Sequence, residues 1–179
     1  MTSDAGLYGQ SLYDLAAQEH LTQELLDQLA QVQSIFKENP DYITLLSEPS
    51  IPKKERFDLV DKAFGDAVHP YLLNFIKILL ENGLLRGFSS CCSVFRSNYN
   101  RDNGIAEALV TSAVELTKDQ ADRLREKLEQ VSGRKVLLTT KVDSAILGGI
   151  RVELEGRLYD GTVAGRLGDL RKKVGSVVI

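Results

Sequence analysis

The sequence predicts a mainly α-helical protein with a small α/β part: an N-terminal six-helix bundle followed by a small β-α-β-β-α C-terminal domain. Up to residue 104, apolar residues recur every three or four positions, which is the period of an amphipathic helix. At Gly104 the period changes to two, which is typical of a half-buried strand. A chain of 179 residues is long enough for one domain or two small ones. We therefore expect one domain over 1–104 and another over 105–179.

Six apolar stripes with helical spacing make up the first domain. The third follows Asn39-Pro40, where Asn can cap a helix and Pro suits its first position. The fourth ends at Gly65. The fifth, after Pro70, is apolar almost all round, which is typical of a central helix or of one that lends a face to a partner. In chain order the stripes contain Tyr8, Leu12 and Leu15; Leu21, Leu25, Leu29, Val32 and Phe36; Tyr42, Leu45 and Leu46; Phe57, Val60 and Phe64; Leu72, Leu73, Phe75, Ile76, Ile78, Leu79 and Leu80; and Phe88, Cys91, Cys92, Phe95 and Tyr99.

The second domain is expected to begin with a strand after Gly104. Thr117-x-x-Gln120 is a capping box, in which two side chains satisfy backbone N–H groups at a helix start. That helix ends at Ser132-Gly133, and Asp160-Gly161 predicts a turn before Thr162, which can cap the last helix. The apolar residues of the five elements are, in chain order, Ala106, Ala108, Val110, Val114 and Leu116; Ala121, Leu124, Leu128 and Val131; Val136, Leu138 and Val142; Ile150, Val152 and Leu154; and Val163, Leu167, Leu170 and Val174.

The composition argues against several classes of protein. A net charge of −3 disfavours general nucleic-acid binding. No apolar run approaches the ~20 residues that span a bilayer, and residues 1–4 lack the features of a signal peptide. Cys91 and Cys92 are adjacent in an apolar pattern, so we interpret them as buried thiols rather than as metal ligands or reactive groups. Two thiols form no disulfide framework, which fits a reducing cytosolic compartment.

The motifs of catalysis and cofactor binding are missing from the sequence. There is no GxxxxGK[ST] phosphate loop, and Gly161, Gly165 and Gly168 follow a turn, which is the wrong context for a dinucleotide site. We interpret His20 and His69 as helix-end residues rather than as catalytic bases. The sequence therefore predicts no catalytic residue, no metal, no cofactor and no small-molecule substrate.

Charge is distributed unevenly along the chain. Residues 1–40 carry six acidic side chains against one basic, whereas residues 163–179 carry four basic against one acidic. Solvated helix faces are the favoured interpretation of such a pattern. The alternative is that the two ends of the chain bind different partners.

Four stretches of the chain resemble the delta subunit of the F-type ATP synthase, the bacterial counterpart of the mitochondrial oligomycin-sensitivity-conferring protein. They are Leu7–Ala16, similar to the family's first helix; Asn74–Gly83, similar to its Asn-Phe…Glu-Asn segment; Lys141–Ile150, similar to its strand with paired small residues; and Asp160–Leu167, similar to its Asp-Gly closing segment. Each is a weak signal alone, but their order and spacing over nearly the full chain make the set specific.

The resemblance implies a non-catalytic stator component that links the catalytic head to the peripheral stalk, so that proton-driven rotation is coupled to ATP synthesis. Its bundle would receive the N-terminal helix of an alpha subunit in a groove between the first and fifth helices, and its C-terminal domain would meet the b-type stalk subunits, with the basic last helix as the suspected contact. Carried over by position, the groove comprises Tyr8, Ser11, Leu25, Asn74, Phe75 and Ile78. The protein would be peripheral, at the cytoplasmic face of a bacterial cell membrane, and touch the membrane only through the complex.

The chain departs from the family pattern at three positions. The family's usual alanines in the first helix are Gly9 and Ser11 here, and glycine costs about 1 kcal/mol of helix propensity relative to alanine. The arginine expected after Asn82-Gly83 is Leu84, with Arg86 two positions later.

The alternative function is a free-standing helical protein-binding adaptor outside the synthase.

Overall fold

The computed structural model describes residues 4–162, which divide between two compact units, Met1–Tyr99 and Asn100–Ile179. The division falls inside the last helix of the first unit. Each unit has its own apolar cluster. In coarse terms the prediction is confirmed: the described chain is mainly helical, with a small mixed four-stranded sheet.

The first unit consists of α-helices and one short 3-10 turn at Leu85–Gly87. The α-helices are α1 (Asp4–Gln18), α2 (Thr22–Glu38), α3 (Pro40–Leu46), α4 (Lys53–Phe64), α5 (Pro70–Glu81) and α6 (Phe88–Asp102). Helix α5 buries five of its 12 residues, namely Leu72, Phe75, Ile76, Leu79 and Leu80. This agrees with the apolar character that the sequence shows almost all round this segment.

Aromatic side chains fill the centre of the helical unit. The ring of Phe36 on α2 packs edge-on against Phe88 at 5.0 Å and against Phe64 at 5.7 Å between centroids. Edge-to-face pairs of this kind are favoured by the ring quadrupoles beyond the gain from burial. They hold α2, α4 and α6 together, and α5 joins them through Phe75.

One helix cap differs from the sequence interpretation. Asn39 does not cap α3 with its side chain; its amide Nδ2 donates to the Ile35 carbonyl at 2.9 Å and closes the end of α2 instead. The reason is that an asparagine between two helices can satisfy either one, and the carbonyls of α2 lie within its reach. The predicted end of α4 at Gly65 is confirmed: the helix runs to Phe64, and the Gly65 N–H donates to the Asp61 carbonyl at 2.8 Å.

The second unit contains strands β1 (Ile105–Ser112), β2 (Lys135–Val142), β3 (Ile150–Leu154) and β4 (Arg157–Asp160), and helix α7 (Lys118–Ser132). The sheet order is β2-β1-β3-β4, in which β1 and β2 are parallel and the other pairs antiparallel. Val136 and Leu154 pack with two alanines of β1 and with Leu128 of α7.

The sequence interpretation of this unit needs two corrections. Strand β4 was not predicted, because all four of its residues are exposed and show no burial pattern. Strand β1 ends at Ser112, so Val114 and Leu116 lie beyond it. Val142 lies on the same face of β2 as Val136 and Leu138, as predicted, but at the end of the strand 53% of its surface is exposed. The last predicted helix, with Val163, Leu167, Leu170 and Val174, lies outside the described residues.

The capping box at the start of α7 is confirmed. The Gln120 N–H donates to Thr117 Oγ1 at 3.3 Å, and the Thr117 N–H donates to Gln120 Oε1 at 3.0 Å. At the other end Gly133 takes φ 68°, a left-handed conformation that glycine adopts without a steric penalty.

Candidate binding groove

A groove of about 310 Å³ lies between α1 and α5. Its walls repeat the same spacing, with four residues of each helix at positions i, i+3, i+4 and i+7. The lining consists of Tyr8, Ser11, Leu12 and Leu15 from α1, and of Tyr71, Asn74, Phe75 and Ile78 from α5. This spacing places the four side chains of each wall on one face of its helix.

The α1 wall combines a buried floor with a more open rim. Leu12 is 4% exposed, while Tyr8 and Leu15 are half-buried. Ser11 is exposed, and its hydroxyl donates to the Leu7 carbonyl of its own helix at 3.1 Å. This wall is therefore apolar along its length, with one small polar side chain at its edge.

The α5 wall has the same organisation. Phe75 is buried, whereas Asn74 and Ile78 are exposed, with 43% of the Ile78 surface accessible. Tyr71 is held by the helix cap, because its N–H donates to Nδ1 of His69 at 3.3 Å. The His69 N–H in turn donates to the side-chain carbonyl of Gln28 on α2 at 2.7 Å.

The structure brings five of the six predicted site residues together: Tyr8, Ser11, Asn74, Phe75 and Ile78 all line the groove. Leu25 does not, because it is 0% exposed within the core on α2. Sequence reasoning missed Leu12, Leu15 and Tyr71 as lining residues. Their helical spacing from Tyr8 and Asn74 is the signal that could have found them.

The residues considered for catalysis lie outside the groove's lining. His20 lies between α1 and α2 in the left-handed region, with φ 59°, and His69 caps α5. Both thiols are buried, and desolvation raises the pKa of Cys91 to about 11 and that of Cys92 to about 12. Both thiols are therefore protonated at neutral pH and poorly nucleophilic.

The described part of the chain contains neither a candidate metal cluster nor a candidate membrane-spanning helix. Between residues 4 and 162, no three His, Cys, Asp or Glu side chains are grouped so that they could hold a metal ion. Over the same residues, no helix has the length and apolar character needed to cross a membrane. Leu84, at the position where the resemblance implies an arginine, packs against the helical core, and Arg86 is exposed.

Known proteins that are similar to this chain over nearly its whole length include two delta subunits of ATP synthases. ATP synthase subunit delta of Lactiplantibacillus plantarum is 31% identical over 94% of this chain and 93% of its own length. ATP synthase subunit delta of a Synechocystis species is 30% identical over 89% of this chain and 87% of its own length.

A solved structure shares the fold. A chain in the cryo-EM structure of the Toxoplasma gondii mitochondrial ATP synthase hexamer matches with a TM-score of 0.75 at 17% identity, over 96% of this chain and 97% of that chain. The family model described as ATP synthase delta (OSCP) subunit matches residues 5–174. With a family match over nearly all of its length, the chain belongs to the ATP synthase delta (OSCP) subunit family.

Proposed function

We propose that this chain ties the catalytic head of an F-type ATP synthase to its peripheral stalk, with a different partner on each of its two units. Members of its family are structural stator components of the synthase and are not themselves catalytic. A stator connection of this kind keeps the head from turning with the rotor, so that proton-driven rotation is coupled to ATP synthesis.

The domain at 1–104, acting as a six-helix bundle, is proposed to bind the N-terminal helix of an alpha subunit in the α1–α5 groove. The observation that carries this proposal is the pair of matching apolar walls, each two helical turns long. An amphipathic helix that lays its apolar face into such a groove is a recurring mode of peptide recognition. It would make contact through anchors at i, i+3, i+4 and i+7.

The proposed occupant matches the exposure of the groove. Phe75 and Leu12 form a buried floor that needs no cover, whereas the exposed parts of Ile78 and Tyr8 offer apolar surface for a partner to bury. The few polar groups at the rim, such as Asn74, can fix orientation without making the groove hydrophilic.

The domain at 105–179 is proposed to bind the b-type stalk subunits. Three exposed leucines support this, namely Leu109 on β1, Leu137 on β2 and Leu158 on β4. The strand register places them on one face of the sheet, opposite the face that carries Ala106 and Ala108. The basic last helix suspected from the sequence lies outside the described residues.

The same reasoning proposes a location. As part of the synthase the chain would be peripheral, on the cytoplasmic face of a bacterial cell membrane, and would touch the membrane only through the complex. It would use no cofactor and bind no nucleic acid.

Calorimetric titration of the full chain with a synthetic peptide of the alpha-subunit N-terminal helix tests the groove. We expect one-to-one binding with a Kd of about 1 μM or tighter, equivalent to about 8 kcal/mol. A peptide of the same composition in scrambled order is the control and should give no heat. Equal binding of the two peptides, or binding of neither, would reject the groove as the alpha-subunit site.

Gel filtration of the native complex separates the proposal from the alternative of a free-standing adaptor. Co-migration of the chain with alpha and beta subunits is expected. Migration apart from them, under conditions that keep the head intact, would favour the adaptor.

A further inference from the structure

Helix α1 lies unusually close to the start of α6, at two places one helical turn apart. A Cβ atom placed on Gly9 would lie 2.6 Å from the carbonyl oxygen and 2.8 Å from the Cα of Cys91. A Cβ placed on Gly87 would lie 2.6 Å from the Cβ of Ala5. Neither position has room for a side chain, so the two glycines allow the backbones to approach.

Two further contacts hold α1 in this position. The thiol of Cys91 donates to the Ala5 carbonyl at 2.9 Å, within the same close approach. Further along α1, the ring of Tyr13 packs edge-on against Phe95 of α6, with 5.2 Å between centroids. Helix α1 is therefore fixed against α6 over most of its length.

The close approach also determines where one wall of the groove lies. Tyr8 and Gly9 are adjacent in sequence and so point about 100° apart around α1. The same helix thus faces α6 with Gly9 and faces the groove with Tyr8. A side chain at position 9 would have to lift α1 by about 0.8 Å to reach ordinary van der Waals contact with Cys91. That movement would carry the Tyr8 side of the groove away from its place relative to α5.

We infer that Gly9 and Gly87 are positioning residues for partner binding, because they set α1 at the depth that matches its groove wall to α5. This inference rests on the proposed function of the groove. The inference also explains why glycine occupies position 9. In the sequence Gly9 only lowers helix propensity, whereas in the structure an alanine at this position would clash with Cys91.

The experiment is calorimetric titration of the full chain and its variants with the alpha-subunit N-terminal peptide. Gly9→Ala and Gly87→Ala are each expected to raise Kd by at least about fivefold, since extra atoms in a packed contact force helix shifts. The double variant Ala5→Gly/Gly87→Ala moves the methyl group from one helix to the other. We expect it to restore the affinity of the unaltered chain.

A matched destabilised variant separates positioning from general loss of stability. Val60→Ala removes core contacts on α4, where Val60 is 0% exposed and does not line the groove. Measured at a temperature where all variants are folded, its Kd should equal that of the unaltered chain. The inference is overturned if Val60→Ala weakens binding as much as Gly9→Ala does, if Gly9→Ala binds normally, or if the Ala5/Gly87 exchange restores nothing. Failure of the unaltered chain to bind the peptide would instead count against the proposed function.

Discussion

A charge at Ile78 offers a direct test of the groove, and the chain supplies its own control. Ile78 lines the groove and is 43% exposed, while Ile35 on α2 is 42% exposed and lies outside the lining. Both residues lie on helices, so aspartate should affect the stability of the helical unit to a similar degree at either position. Only Ile78→Asp should affect partner binding.

The size of the effect follows from the exposed surface. Fully burying an isoleucine side chain is worth about 1.5–3 kcal/mol, and 43% of Ile78 remains for a partner to cover. Ile78→Ala should therefore cost about 1 kcal/mol of binding, which is about fivefold in Kd. Aspartate adds at least about 2 kcal/mol more, because an unpaired carboxylate would lie beneath an apolar helix. The expected loss is then about a hundredfold or more.

The assay is titration of each full-length variant with the alpha-subunit peptide, preceded by thermal unfolding to confirm that all variants are folded. We expect Ile35→Asp to bind like the unaltered chain, Ile78→Ala to bind about fivefold more weakly, and Ile78→Asp to show no measurable heat at micromolar concentration. Equal affinities for the two aspartate variants would show that the groove between α1 and α5 is not where the peptide binds.

Two further predictions concern stability. Gly149 has φ 86° and would place a Cβ 2.5 Å from the Gly161 carbonyl oxygen, whereas Gly156 has φ 76° with open space around it. By urea unfolding, Gly156→Ala should therefore cost about 1–2 kcal/mol and Gly149→Ala at least about 1 kcal/mol more, and equal costs would refute the close approach. Burial raises the pKa of Cys91 to about 11 and of Cys92 to about 12 from the ordinary 9.0, so folding stability should be fully present below pH 9 and fall as pH rises towards 11. The urea midpoint should fall more steeply over that range than in the Cys91→Ala/Cys92→Ala variant, and parallel curves would contradict this.

Much of the secondary structure was predictable because its signals are local. The capping box at Thr117 and Gln120 and the glycine at 133 mark both ends of α7, and both signals need only neighbouring residues. The predicted cap of α3 by Asn39 was wrong, because the Asn39 amide can bond to either of two adjacent helices and bonds to α2. Strand β4 could not be predicted from its own residues, because all four are exposed and show no burial pattern. It is a strand because it pairs with β3.

The groove residues could be predicted only in part from the sequence. Helical spacing on α1 and α5 shows which residues share a face, and the family resemblance shows that these two helices are neighbours. It does not show which apolar face another helix already covers. Leu25 has the same period as its neighbours on α2, yet the packing of the helical unit buries it completely.

The sequence by itself determined the helical first part, the change of period at Gly104 and the family. These depend on patterns within short windows and on the order of motifs along the chain. Only the tertiary structure decided how Gly9 should be understood. A glycine in a helix reads locally as a loss of about 1 kcal/mol, but here it permits contact with the backbone of Cys91, which lies far away in sequence. Close packing between distant segments depends on the complete fold, and no local pattern contains it.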